Sequence, residues 1–166
     1  ARALKRHGRI LVEAAAAAGL RSLFVGFETL SDVNLLAQGK KQNLGRDYAA
    51  AIRRLHDNGV MVNGSFVFGM DDDVPDVFDC TVDWAVRQGI ETATFHILTP
   101  YPGTALHDRM VADGRILHED WDLYDTRHVV YRPARMTPGQ LESGYWKAYD
   151  DFYSWSNIAR GAATKP

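Results

Sequence analysis

The sequence predicts an α/β fold of three successive parallel β/α units, followed by a C-terminal extension built on one long aromatic-rich helix. Two observations carry this. Short β-prone runs alternate with helical segments that open on capping residues and close on glycine, the pattern of parallel strands joined by crossover helices. After residue 113 the alternation stops, and a loop-like stretch leads to a last amphipathic helix. The chain therefore divides at 1–113 and 114–166.

The elements follow in order. Residues 9–18 end in an alanine run before Gly19, strong helix formers followed by a left-handed stop. Ser22 to Glu28 is the first β-prone run, and residues 46–57 form a helix in which Tyr48, Ile52 and Leu55 recur at helical spacing. A second strand spans Val60 to Gly69. Asp73 is the expected N-cap of a helix from Val74 to Gln88, with Pro75 in its first turn. The third strand runs from Thr92 to Leu98, and Thr104 caps a helix to Asp113. In the extension a short strand is expected at His128–Tyr131. Thr137-Pro138-Gly139-Gln140 reads as a capping box opening a helix whose stripe is Leu141, Tyr145, Ala148, Phe152 and Trp155. Residues 158–166 are expected to fray.

Composition sets bounds on function. The 166 residues suffice for one core, and the net charge is -2 with basic residues dispersed, which speaks against a nucleic-acid partner bound through phosphates. No apolar run approaches the roughly 20 residues that span a bilayer. The single cysteine, Cys80, allows neither a disulfide nor a cysteine-ligated metal site within one chain, and suggests a reducing, cytoplasmic setting.

Alternate strand residues face opposite sides of a sheet. Leu23, Val25 and Phe27 share one face of the first strand, and Phe24, Gly26 and Glu28 the other. Val62, Gly64, Phe66 and Phe68 oppose Met61, Asn63, Ser65, Val67 and Gly69, while Ala93, Phe95 and Ile97 oppose Thr92, Thr94, His96 and Leu98. One face suits packing under helices. The other brings Glu28, Asn63, Ser65 and His96 together, small and polar groups that suit a ligand cavity better than the apolar filling of a closed eight-stranded barrel.

Three segments carry a resemblance. Phe24-Val25-Gly26-Phe27-Glu28-Thr29-Leu30-Ser31 resembles the fourth-strand segment, usually written G-x-E-S/T, of radical S-adenosylmethionine (SAM) proteins. Ser65-Phe66-Val67-Phe68-Gly69-Met70-Asp71-Asp72 resembles their fifth-strand motif G-x-I-x-G-x-x-E, with Ser65, Val67 and Asp72 in place of Gly, Ile and Glu. Ile97 to Thr104 resembles the sixth-strand segment ending in P-G-T. The wider pattern, from Lys40 and Asn43 through Phe78, Gly114-Arg115-Ile116, Trp121 and Tyr124 to His128-Val129-Val130 and Phe152-Tyr153-Ser154, is similar to the branch that carries an N-terminal cobalamin-binding domain and includes methyltransferases and oxidative cyclases.

The resemblance implies the second half of a partial, TIM-like (β/α)6 barrel. It implies SAM held by a 4Fe-4S cluster that cleaves it to a 5′-deoxyadenosyl radical, and cobalamin elsewhere in the polypeptide. The cluster's C-x-x-x-C-x-x-C loop is absent from this sequence, so the chain by itself is expected to be inactive, part of a larger Fe-S oxidoreductase or transferase acting on a small molecule. By the same resemblance Glu28 meets the SAM ribose, Ser65 the ribose or methionine portion, and Val67 the adenine. Gly69 permits close approach, and the backbone of Leu98 and Thr99 meets adenine edges. No motif fixes His96, a candidate substrate-side residue.

Other readings are structural. Asp71-Asp72-Asp73 offsets a helix start more simply than it binds metal, Lys40 and Lys41 suit a solvated loop, and the aromatic helix suits core packing. The opposing functional reading is a non-catalytic binding or interaction module on a degenerate half-barrel. A half-barrel also leaves two strand edges and an inner face open, so self-association of the isolated chain is expected.

Overall fold

The computed structural model describes residues 2–37, 39 and 47–163; Lys40, Lys41 and Asn43 lie outside the described residues. Helix α1 (Arg2–Ala17) leads to β1 (Ser22–Glu28), α2 (Asp32–Ala37), α3 (Tyr48–His56), β2 (Met61–Phe68), α4 (Val77–Arg87), β3 (Thr92–Ile97) and α5 (Ala105–Ala112). A 3-10 turn at Trp121–Leu123 precedes α6 (Pro138–Phe152) and α7 (Trp155–Ala163). The strands form one parallel sheet in the order β1-β2-β3, flanked by helices.

Alternation along the strands decides which face is covered. Phe27, Phe66, Phe95 and Phe68 lie side by side on the helix-covered face, with successive ring centroids 5.3, 5.8 and 5.5 Å apart. Burying each ring contributes about 1.5–3 kcal/mol. Trp84 of α4 and Phe152 of α6 meet this row edge-on.

The capping box of α6 forms as its spacing predicts, with Gln140 N–H donating to the Thr137 hydroxyl and Thr137 N–H to the Gln140 side chain. The helix then crosses β3, and its tyrosines finish the sheet. The Ala93 N–H donates to the Tyr153 hydroxyl (3.0 Å), which donates back to the Ala93 carbonyl (2.8 Å). Tyr149 does the same for Phe95, at 3.1 and 3.2 Å. The Ile97 N–H donates to the Thr126 carbonyl at 2.7 Å. Of the two strand edges expected to lie open, that of β3 is thus closed by side chains and a loop, because the extension folds back onto it.

Four other expectations are corrected. Asp73 does not cap α4, which starts four residues later; its buried carboxylate accepts from the amides of Gly69 (2.8 Å) and Met70 (3.0 Å) and from Asn34 Nδ2 (2.7 Å). The strand expected at His128–Tyr131 reduces to a single antiparallel bridge, Ile116 to Tyr131. Trp155 leaves the apolar stripe, 86% exposed, because α6 ends at Phe152 and α7 starts anew. Residues expected to fray from 158 onward are helical to Ala163.

Candidate functional site at the open face of the sheet

The face of the sheet away from the phenylalanine row is layered by register. From the amino end the layers are Ser22 beside Met61, then Phe24–Asn63–Thr92, then Gly26–Ser65–Thr94, then Val67–His96 with Glu28 at the end of β1. The lower layers expose apolar surface, Phe24 at 62% and Met61 at 46%. The upper layers hold the polar groups, at the carboxyl ends of parallel strands where ligands of such folds gather.

Glu28 reaches this face by a route that alternation does not give. The β1–β2 register slips at Phe27, so Glu28 lies opposite Phe66, a residue of the covered face. Its backbone is left-handed (φ 68°), and this returns the side chain over Gly26, with Oε1 2.9 Å from where a Gly26 Cβ would stand. A Cβ at Gly26 would make the Glu28 carboxylate, the end of a flexible side chain, shift, so the glycine of the G-x-E pattern leaves it room.

Around this carboxylate the face is rich in polar atoms. Ser65 is buried between Gly26 and Thr94. Asn63 Oδ1 and Thr94 Oγ1 are buried without a hydrogen-bond partner among the described residues, a cost that folding normally avoids and that an occupant of the face would relieve. His96 is half-buried, with Nδ1 3.2 Å from the Thr126 hydroxyl. Burial lowers its pKa, and the nearby Glu28 carboxylate acts in the opposite direction.

The remaining predicted residues line the rim. Val67 is half-buried beside His96. The Leu98 N–H donates to the Phe68 carbonyl (2.8 Å), extending the β2–β3 ladder, and the buried Thr99 hydroxyl donates to the Ile97 carbonyl (3.0 Å), so its side chain turns back onto the strand. At Gly69 (φ 93°) the approach that requires glycine is made by the protein itself: a Cβ would meet the Tyr131 hydroxyl and, at 2.8 Å, Leu141. The Tyr131 hydroxyl donates to the Gly69 carbonyl.

The loop after β2 is braced by charge. Asp71 pairs with Arg109 and Arg115, and Asp72 with Arg135, so these carboxylates serve the loop. Among the described residues no group of three or more His, Cys, Asp or Glu side chains could hold a metal ion. The lone Cys80 is exposed on α4, at a cleft of ≈ 280 Å³ that Thr29, Ser31, Asp72 and Val77 also line, on the helix side of these loops. Sequence reasoning placed Thr94 on this face without singling it out, and missed Thr126. Thr126 is a loop residue brought to His96 only by folding.

No protein-family model matches the chain, and among the described residues no helix is long and apolar enough to cross a membrane. The chain is 33% identical over 94% of its length to the bacteriochlorophyllide d C-12(1)-methyltransferase of Chlorobaculum tepidum, covering 34% of that protein. It is 29% identical over 85% of its length to the C-8(2)-methyltransferase of the same organism, covering 32%. It is 24% identical over 82% of its length to the anaerobic magnesium-protoporphyrin IX monomethyl ester cyclase of Cereibacter sphaeroides, covering 22%. The chain thus spans about a third or less of these curated relatives, and its homologues are methyltransferases and a cyclase.

Proposed function

We propose that this chain is the second half of a partial (β/α)6 barrel in a radical SAM methyltransferase, and that its open face forms one wall of the SAM pocket and of the adjoining substrate cavity. The observation that carries the reading is that the Glu28 carboxylate, Ser65 and His96 share one face of the sheet toward the carboxyl ends of its three strands, above buried polar atoms that lack partners among the described residues.

The residues fit SAM. Its ribose offers two neighbouring hydroxyl donors to a carboxylate acceptor, which Glu28 supplies with Ser65 beside it. Val67 packs against the adenine, and the backbone of Gly69, Leu98 and Thr99 borders it. When bound, SAM supplies the methyl group or the radical chemistry of the reaction. A 4Fe-4S cluster does not fit this chain, whose one cysteine sits on the helix side; cluster and cobalamin are held by other parts of the protein. The more similar of the relatives described above favour methyl transfer over oxidative cyclisation, and a bacteriochlorophyllide as substrate.

The test is Glu28→Ala in the full-length protein. Losing a hydrogen bond to a charged group costs about 1.5–3 kcal/mol, so SAM affinity falls roughly 10- to 150-fold while iron content is unchanged. Unaltered SAM affinity would remove Glu28 from the pocket and with it the main support for this assignment.

A further inference from the structure

Among the described residues two that are not glycine hold a left-handed backbone, Glu28 (φ 68°) and Thr126 (φ 66°). Both act on His96, one through its charge and one through a hydrogen bond. For a β-branched residue such as threonine this conformation is a steric outlier. Asp125 holds the loop around it by accepting from the amides of Arg127 (2.9 Å) and His128 (3.1 Å).

What Thr126 does there separates into two contacts. Its carbonyl accepts from the Ile97 N–H, and its hydroxyl lies 3.2 Å from His96 Nδ1. Glycine would keep the carbonyl contact and adopt the same φ without strain. Only the hydroxyl requires threonine, and the hydroxyl serves His96. Backbone strain kept where a cheaper residue would serve points to function at the group it supports.

With Nδ1 engaged, Nε2 is the ring nitrogen without a partner among the described residues. His96 and Glu28 stand on strands two spacings apart, about 9–10 Å, more than one ribose covers. A ribose held at Glu28 therefore leaves the free ring nitrogen of His96 to another group in the cavity. Burial keeps the imidazole neutral at neutral pH despite the carboxylate, which suits a hydrogen-bonding contact better than a fixed charge.

We infer that His96 Nε2 is the substrate-side contact of the site and that Thr126 is its positioning residue, orienting the ring from Nδ1. This rests on the reading of the open face as a SAM pocket, and it adds where SAM ends and substrate begins.

The experiment uses the full-length protein with two probes, S-adenosylhomocysteine and bacteriochlorophyllide d. The ¹⁵N resonance of His96 Nε2 moves on adding bacteriochlorophyllide d and stays in place on adding S-adenosylhomocysteine. His96→Ala and Thr126→Gly each weaken bacteriochlorophyllide d binding roughly tenfold and leave S-adenosylhomocysteine affinity within about twofold. Thr126→Ser, which keeps the hydroxyl, binds like the native protein.

Three results would overturn the inference: equal weakening of both probes, which puts His96 in the SAM pocket; a loss of binding in Thr126→Ser as large as in Thr126→Gly, which takes the role away from the hydroxyl; or no bacteriochlorophyllide d binding by the native protein. Failure of the SAM reading itself registers separately, as S-adenosylhomocysteine affinity that Glu28→Ala does not change.

Discussion

Replacing Tyr149 and Tyr153 by phenylalanine tests whether the extension ends the sheet at β3. Each substitution removes one hydroxyl and leaves a β3 N–H and carbonyl unpaired, those of Phe95 or Ala93. A buried polar group left unsatisfied costs about 1–3 kcal/mol. Water tempers this unequally, since Tyr153 is 42% exposed whereas Tyr149 packs partly buried against the core. We expect about 1 kcal/mol for Tyr153→Phe and about 2–3 kcal/mol for Tyr149→Phe. The rings stack on one another at 6.2 Å, so the double variant is not bound to show the sum. Urea unfolding measures the stabilities, and amide exchange reads the edge directly. Protection at Phe95 should fall roughly 30- to 150-fold, and at Ala93 about fivefold. A double variant within about 0.5 kcal/mol of the native protein, with unchanged exchange at both amides, would refute the idea that these hydroxyls seal the strand.

Two further outcomes are expected. Burial raises the Asp73 carboxyl to about 6, outweighing the amide and Asn34 donors. With its folded pKa above the unfolded value of 3.8, this group's relative contribution to stability is largest below pH 3.8 and is lost as pH rises through 6, by about 3 kcal/mol in all. A pH series of urea unfolding should show that decline in the native protein and not in Asp73→Asn; identical profiles would contradict it. Separately, the isolated chain should self-associate through the outer edge of β1 and the open face carrying Phe24 and Met61, which we propose the preceding part of the polypeptide covers. A clean monomer in sedimentation at high concentration would argue against this.

Much of the architecture was legible because it depends on local signals. The span Ser22–Glu28, the Thr104 and Thr137 caps and the apolar faces of β2 and β3 follow from propensity, capping chemistry and alternation, and each appears in the fold. The six-residue α2 escaped notice because its capping signal, Ser31 accepting from the Asn34 amide at 3.3 Å, precedes too short a segment for periodicity to show. Asp73 was misassigned because an acidic residue ahead of a helix pattern looks the same whether it caps the helix or turns inward to hold a loop. Trp155 kept helical phase with Phe152 in the sequence, but the turn at Tyr153 and Ser154 breaks that phase.

Alternation, a property of any extended chain, already puts Gly26, Glu28, Ser65 and His96 at strand positions able to share a face. How they come together depends on register and on long-range packing. The register slip at Phe27 would have turned Glu28 away, and its left-handed backbone turns it back. Thr126 reaches His96 across thirty residues, and Tyr149 and Tyr153 close a strand more than fifty residues earlier. Such contacts join residues with no shared periodicity, and their energy is realised only once the sheet, its register and the returning helix are all in place.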